Sequence, residues 1–172
     1  GLNQYTIIED DNGGYYIGTN DNIDVQNAKL IPYVFHVSSE LDTVYWRTRF
    51  QNSLYLKYGN ISFINKMAML KDRSGMVVCG SVFTQPIVEP DYGILFKCAL
   101  NGDSLWTRQL QPLGWDSTRA WWMHIESIAT TPFNSLVACG RIGDGQDQVT
   151  RGWLLHLDSE GCLVPGCDKI VS

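Results

Sequence analysis

The chain repeats one pattern three times, and this repetition limits its possible folds more than any other feature. Three β-rich runs, GYYIG, MVVCG and LVACG, end at Gly18, Gly80 and Gly140, which lie 62 and 60 residues apart. A fixed period is typical of stacked or radial repeat proteins, in which no unit buries its apolar face alone. The predicted units cover residues 1–55, 56–113 and 114–172.

Each unit contains short extended segments bounded by turn residues such as Asn101-Gly102. In the first unit the predicted strands are residues 4–9, 14–19, 32–38 and 44–50. In the second unit they are residues 65–70, 76–82, 92–100 and 103–110. In the third unit they are residues 124–130, 136–142 and 152–158, with a fourth strand cut down to 162–164. No long window has a helical period.

Four short antiparallel strands per unit predict an all-β fold built from β-propeller blades. A β-sandwich with coincidental regularity is the alternative. Propellers have roughly four to eight blades, so three blades leave the ring incomplete. We therefore expect the chain to be the C-terminal part of a larger propeller, packed against upstream blades or another chain.

Composition excludes several classes of protein. The 172 residues are 44% hydrophobic and 12% aromatic, which suffices for a packed core. The net charge is −5 and the basic residues are scattered, which argues against nucleic acid and anionic membrane surfaces as partners. No apolar run reaches the roughly 18 residues that a spanning helix needs, so we expect no transmembrane segment.

Three strings resemble a known class of repeat. GYYIG at 14–18, NGDSLW at 101–106 and RGWLLHLDSEGCLVPGC at 151–167 are similar to the propeller-like repeat regions of secreted Bacteroidetes proteins. Those regions precede a C-terminal sorting domain read by the type IX secretion system. The resemblance covers all three units and implies blades and an extracellular or cell-surface location, but no particular activity. The sorting domain is not among these residues, and we expect it to lie beyond them or to have been removed.

The five cysteines fall into two groups. Cys79, Cys98 and Cys139 lie within predicted strands and are expected to be small buried side chains, with an inter-blade disulfide as the alternative. Cys162 and Cys167 bracket a short turn that can bring their sulfur atoms into bridging range. We predict a disulfide there, which is typical of an oxidising compartment.

The sequence contains no motif for nucleophilic catalysis. His36 and His156 occupy equivalent strand positions and are expected on the wetter side of the sheet. His124 lies beside two tryptophans but has no evident nucleophile partner. Carboxylate pairs for glycoside cleavage leave no local string; the candidates are Asp91, Asp116, Glu89 and Glu126, and solvated loop carboxylates are the alternative.

No cofactor or metal site is predicted. The loop at 20–24 begins like an EF-hand, but it lacks the glycine and the glutamate that this motif requires. The polar loop at 143–147 is a similarly weak candidate. Incidental calcium at either loop is the remaining alternative.

The segment 114–122, GWDSTRAWW, stands out from the repeat. Trp115, Arg119, Trp121 and Trp122 are the predicted ligand-binding residues, since closely spaced aromatic side chains can form a platform for sugar rings or a peptide. The alternative is that they fill a gap between adjacent blades.

The predicted function is an extracellular or cell-surface β-propeller interaction or scaffold module without catalysis of its own. Two alternatives come from other classes. One is part of a propeller enzyme that acts on polysaccharide, with its site at the ring axis. The other is a structural subunit that docks onto other chains.

Overall fold

The computed structural model describes residues 5–24, 29–50, 61–83, 91–110, 121–144 and 150–163. Within these ranges the chain is all-β, with eleven strands and no helix. The strands form three separate antiparallel sheets that do not close into a barrel or ring. The predicted all-β fold is confirmed, and the presence of three sheets instead of two excludes a simple sandwich.

Each sheet is a meander of consecutive strands from one predicted unit. Sheet 1 contains β1 (Thr6–Glu9), β2 (Tyr15–Asp24), β3 (Lys29–Val37) and β4 (Val44–Arg49). Sheet 2 contains β5 (Ile61–Met69), β6 (Met76–Phe83), β7 (Tyr92–Cys98) and β8 (Ser104–Leu110). Sheet 3 contains β9 (Trp121–Thr130), β10 (Leu136–Asp144) and β11 (Thr150–Leu157). The unit boundaries lie outside the described residues and stay predictions.

The fourth strand predicted at 162–164 is absent from the described part of sheet 3. Cys162 and Leu163 follow a tight turn in which the Asp158 N–H donates to the Cys162 carbonyl oxygen at 3.0 Å. Residue 164 lies outside the described residues. Among the described residues, sheet 3 therefore has three strands where sheets 1 and 2 have four.

The strand register corrects the alignment of the repeat. In each sheet the first residue of the second strand pairs with the last residue of the third strand. Counted from that pair, Gly80 and Gly140 are fifth in their strands, whereas Gly18 is fourth and is equivalent to Cys79 and Cys139. The prediction that all three glycine runs superpose is therefore wrong for Gly18.

The glycines satisfy two different steric demands. Gly80 and Gly140 lie opposite places where the register of the first strand shifts. A Cβ atom on Gly80 would collide there with the carbonyl oxygen of Phe63. A Cβ atom on Gly18 would instead lie 2.9 Å from the Sδ atom of Met67 in sheet 2. A sequence pattern of glycines cannot distinguish these two causes.

Sheet 2 lies between the other two sheets and is buried on both faces. Because side chains alternate along a strand, Met76 and Val78 contribute to the core with sheet 1, whereas Val77 and Cys79 contribute to the core with sheet 3. The first core includes Tyr16, Val34, Phe50, Ile64, Met67 and Phe96. The second core includes Ala68, Leu95, Ile125, Ile128, Leu136 and Leu157.

A tryptophan in the fourth strand joins each of the first two sheets to the next sheet. The Nε1–H group of Trp46 donates to the Leu100 carbonyl oxygen at 2.9 Å. The Nε1–H group of Trp106 donates to the Glu160 carboxylate, also at 2.9 Å. Gly102 lies under the Trp46 indole and Gly161 lies under the Trp106 indole. We call each hydrogen bond, together with its glycine, the tryptophan latch.

The latch needs a glycine in the receiving turn. Gly102 and Gly161 have φ angles of 93° and 73°, and a Cβ atom on either would lie 2.8 Å from the tryptophan ring. The equivalent turn of sheet 1 has Leu41 with φ 59°. The equivalent turn of sheet 1 therefore has a leucine where the turns of sheets 2 and 3 have a glycine.

Candidate functional site

A cavity of about 210 Å³ lies between sheets 2 and 3. Sheet 2 lines it with Phe63, Asn65, Ser81 and Phe83, and sheet 3 lines it with His124, Glu126 and Arg141. The cavity combines aromatic walls with hydrogen-bonding groups, which is the usual composition of a small-ligand site.

Two β-bulges direct polar side chains to this cavity. Asn65 is the extra residue where β5 shifts register against β6, and Glu126 is the extra residue where β9 shifts against β10. The Asn65 Nδ2 atom donates to the Ile125 carbonyl oxygen at 2.6 Å and lies 3.4 Å from Ser81 Oγ. Bulges re-aim side chains and are frequent beside functional sites.

Glu126 and Arg141 form an ion pair at the cavity. The Nε and Nη2 atoms of Arg141 both donate to one carboxylate oxygen, Oε1, at 2.9 and 2.7 Å. Both side chains are partly exposed, so the pair adds little to stability. Within the described ranges the Glu126 Oε2 and Arg141 Nη1 atoms have no partner, and both are available to a ligand.

His124 places a second polar group at the cavity. Its Nε2 atom is buried and has no hydrogen-bond partner among the described residues. The ring centroids of Phe83 and Trp122 lie 4.8 and 4.9 Å from that of the imidazole. Buried polar atoms are almost always paired in native proteins, so this nitrogen requires a partner.

The predicted aromatic platform can be placed only in part. Trp115 and Arg119 lie outside the described residues, as does the side chain of Trp121, although its backbone opens β9. Trp122 is half-buried, contacts His124 and covers Gly143, which has no room for a Cβ atom. The platform stays a prediction.

Sequence reasoning found only some of the cavity residues. It named His124 and Glu126 separately and missed Asn65, Ser81 and Arg141, because a bulge leaves no local string. Among the other candidate carboxylates, Asp91 lies next to β9, where its carbonyl oxygen accepts the Met123 N–H at 3.1 Å. Asp116 and Glu89 lie outside the described residues.

The two repeat-related histidines differ in exposure. His156 is exposed, as predicted, and its Nε2 atom lies 2.7 Å from Ser135 Oγ. His36 is only half-exposed: it stacks on Tyr16 with ring centroids 4.4 Å apart, and its Nε2 atom lies 2.5 Å from Asp10 Oδ2. The prediction of a wet surface position is wrong for His36, because that face of sheet 1 packs on sheet 2.

The face of sheet 3 that points away from sheet 2 is a second candidate surface. Leu154 on this face is 71% exposed, whereas the equivalent Leu95 of sheet 2 is fully buried. Val137 and Cys139 are half-buried, and Phe133, in the turn between β9 and β10, is 92% exposed. We call this surface the outer face of sheet 3.

The free cysteines differ in burial in the same way as Leu95 and Leu154. Cys79 and Cys98 are free and buried, as predicted, but Cys139 is free and only half-buried because it lies on the outer face of sheet 3. Cys162 takes part in a disulfide bond. Cys167 lies outside the described residues, so the pairing of Cys162 with Cys167 stays a prediction.

In the ranges given above, no three or more His, Cys, Asp or Glu side chains are grouped to hold a metal ion. The loop at 143–147 and the side chains of 21–24, both considered for calcium, lie almost wholly outside the described residues. None of the described segments forms a helix long and apolar enough to cross a membrane. Comparison with protein-family models finds no match, and comparison with curated proteins finds none either.

Proposed function

We propose that this chain is a non-catalytic interaction or scaffold module of β-propeller type, and that the outer face of sheet 3 packs against a further sheet of the same repeat. The single observation that carries the proposal is the change in exposure between equivalent positions. The pairs Val77–Lys97 and Cys79–Leu95 of sheet 2 are buried under sheet 3. The equivalent residues of sheet 3 have no such cover in the described part of the chain.

The equivalence rests on strand register. In sheet 3 Val137 pairs with His156 and Cys139 pairs with Leu154, in the same order as in sheet 2. Burying a valine or leucine side chain contributes about 1.5–3 kcal/mol. A further sheet packed on the outer face of sheet 3 would therefore be stabilised by the same kind of apolar contact that joins sheets 2 and 3.

Sheet 1 supports the proposal from the other end of the stack. Ile7 is 60% exposed, whereas Met67, at the same position of sheet 2, is buried. Repeat arrays bury such faces by adding neighbours. The occupant that suits both ends is a sheet with the apolar alternation of sheets 1 to 3, supplied by the same protein or by another chain.

The location that we propose is extracellular or on the cell surface. The disulfide at Cys162 supports an oxidising compartment. The resemblance to exported repeat regions supports the same location.

Sedimentation of residues 1–172 expressed alone tests the proposal. We expect concentration-dependent association that Leu154→Arg weakens, because the substitution puts a charge on the outer face of sheet 3. Gln109→Arg, at an exposed position of β8 in sheet 2, puts the same charge away from the outer face of sheet 3, so it is the matched control and is expected to leave association unchanged. A sharply melting monomer at all concentrations would overturn the proposal.

A further inference from the structure

We propose that the cavity between sheets 2 and 3 binds one ring of an uncharged saccharide. The site includes none of Val137, Cys139 and Leu154 of the outer face of sheet 3, although Arg141 follows Cys139 on the same side of β10. Of the predicted platform at 114–122, the described side chain of Trp122 contacts the cavity residue His124.

The free polar atoms of the cavity suit neighbouring hydroxyl groups. The Glu126 Oε2 atom can accept a hydrogen bond from one hydroxyl, and the Arg141 Nη1 atom can donate to the next, because the ion pair holds the two side chains together. The buried Nε2 atom of His124 provides a third site. A hydroxyl group both donates and accepts, so it can pair with each of these atoms.

The apolar walls suit the C–H faces of a sugar ring. The rings of Phe63 and Phe83 are nearly perpendicular, with centroids 5.4 Å apart, and the rings of Phe83 and His124 are inclined by 62°. Ligand sites combine such aromatic surfaces with a few polar groups that fix orientation. Phe63 and Phe83 are each half-buried, so part of their surface remains accessible.

Volume and charge narrow the ligand class. The cavity of about 210 Å³ is smaller than the roughly 300–1,000 Å³ of drug-sized sites, so one ring is the expected occupant. Glu126 and Arg141 neutralise each other. An anion would meet the Glu126 carboxylate and a cation would meet the Arg141 guanidinium, so an uncharged ligand is favoured.

The junction between sheets 1 and 2 does not provide the same site. There Asn20 occupies the position of Ser81, as the pairing of each with β3 or β7 shows. The Asn20 Oδ1 atom accepts the backbone N–H of Ile64 at 3.0 Å. The larger side chain thus bonds across the junction, where Ser81 leaves space beside Asn65.

Saturation-transfer NMR on the 172-residue chain tests this proposal, with glucose, galactose, mannose and N-acetylglucosamine as probes. We expect transfer to the ring protons of at least one of these sugars. Arg141→Met and Glu126→Gln should each weaken binding about tenfold or more, the effect of losing a hydrogen bond to a charged group. Arg151→Met, at an exposed arginine of β11, should have no effect.

Three results would overturn the proposal. The first is no transfer to any neutral sugar from a chain whose circular dichroism is that of a folded β protein. The second is transfer that persists unchanged in both Arg141→Met and Glu126→Gln. The third is stronger binding of glucuronate than of any of the four neutral sugars, which would make the cavity an anion site.

Discussion

The indole of Trp106, in sheet 2, lies directly over Gly161, which belongs to the turn that follows β11 of sheet 3. A Cβ atom on Gly161 would be 2.8 Å from the indole ring. The same turn supplies Glu160, whose carboxylate accepts the Trp106 Nε1–H and, at 2.8 Å, the Lys97 ammonium group. One turn thus satisfies a donor from each of two strands of sheet 2.

Gly161→Ala should therefore destabilise the chain. Its φ of 73° is costly for alanine, and such strain typically amounts to about 1–3 kcal/mol, to which the clash with Trp106 adds. Urea unfolding should give a lower midpoint. Gly152→Ala is the matched control, since its Cβ would have only the Gly140 carbonyl oxygen as a neighbour, at 4.0 Å. Equal midpoints for the two variants would contradict the role of the latch.

Leu95 and Leu154 provide a second matched pair, because they occupy the same position in adjacent sheets. Leu95→Ala should cost about 2–5 kcal/mol of unfolding free energy, since it opens a cavity in a packed core. Leu154→Ala should change it by less than about 0.5 kcal/mol in dilute protein, because the side chain is 71% exposed. Denaturant unfolding of both variants measures this. Similar losses would mean that the outer face of sheet 3 is covered even in dilute protein.

The contact between Asp10 and His36 should make the stability of the chain depend on pH. The hydrogen bond from His36 is the main cause that lowers the pKa of Asp10, and backbone N–H groups of Asn12 and Gly14 add to it. A carboxyl whose pKa is lower in the folded state stabilises the fold above its unfolded pKa and loses this effect as the pH falls through the folded value. Stability from Asp10 should therefore decrease below about pH 4.

Urea midpoints between pH 7 and pH 3 test the contribution of Asp10. The unmodified chain should lose more stability than Asp10→Asn across this interval, because the variant has no carboxyl to protonate. Asp103→Asn, at an exposed turn position, should keep the acid dependence of the unmodified chain. The idea fails if Asp10→Asn shows the same loss between pH 5 and pH 3 as the unmodified chain.

The positions of the strands along the chain were predicted better than the direction in which each residue of a strand faces. Turn strings such as Asn101-Gly102 and alternating apolar residues placed all eleven observed strands to within a few residues at most ends. The offset of Gly18 was missed because Gly18 comes one residue earlier in its strand than Gly80 and Gly140 do, and only the pairing of each second strand with its third strand reveals this. A register is set by pairing with a neighbouring strand, and one sequence does not record that pairing.

The candidate cavity was predictable only as single residues. His124 and Glu126 attracted attention through their residue types, but Arg141 joins them from the next strand and Asn65 comes from another sheet. What brings these side chains together is the packing of two sheets and two bulges. The burial of His36 against sheet 2 was missed for the same reason. Alternation of side chains identifies the two faces of a strand but not what packs on each face.

The disulfide at Cys162 can be tested by peptide mapping. We expect digestion without reductant to release residues around 162 and 167 as one linked peptide, which reduction separates. Cys79, Cys98 and Cys139 should remain unlinked, because all three are free. A peptide in which Cys162 is linked to any of these three would contradict the predicted pairing.

Alkylation rates should separate the free cysteines by burial. Burial raises the pKa of Cys79 and of Cys98 to about 12, so at pH 8 almost none of either thiol is the reactive thiolate. Cys139 is equivalent to Cys79 but lies on the outer face of sheet 3. Iodoacetamide should therefore modify Cys139 first in the native chain, and Cys79 and Cys98 only after urea is added, as mass spectrometry of the labelled peptides can measure.

The concentration dependence of this labelling connects it to the proposed packing of sheet 3. If a further sheet covers the outer face, Cys139 should become protected as association increases, and Leu154→Arg should restore its reactivity because the charge prevents that packing. Cys79 should stay unreactive in both cases, since sheet 3 of the same chain already covers it. Native labelling of Cys79 as fast as that of Cys139 would mean that sheets 2 and 3 do not pack as described.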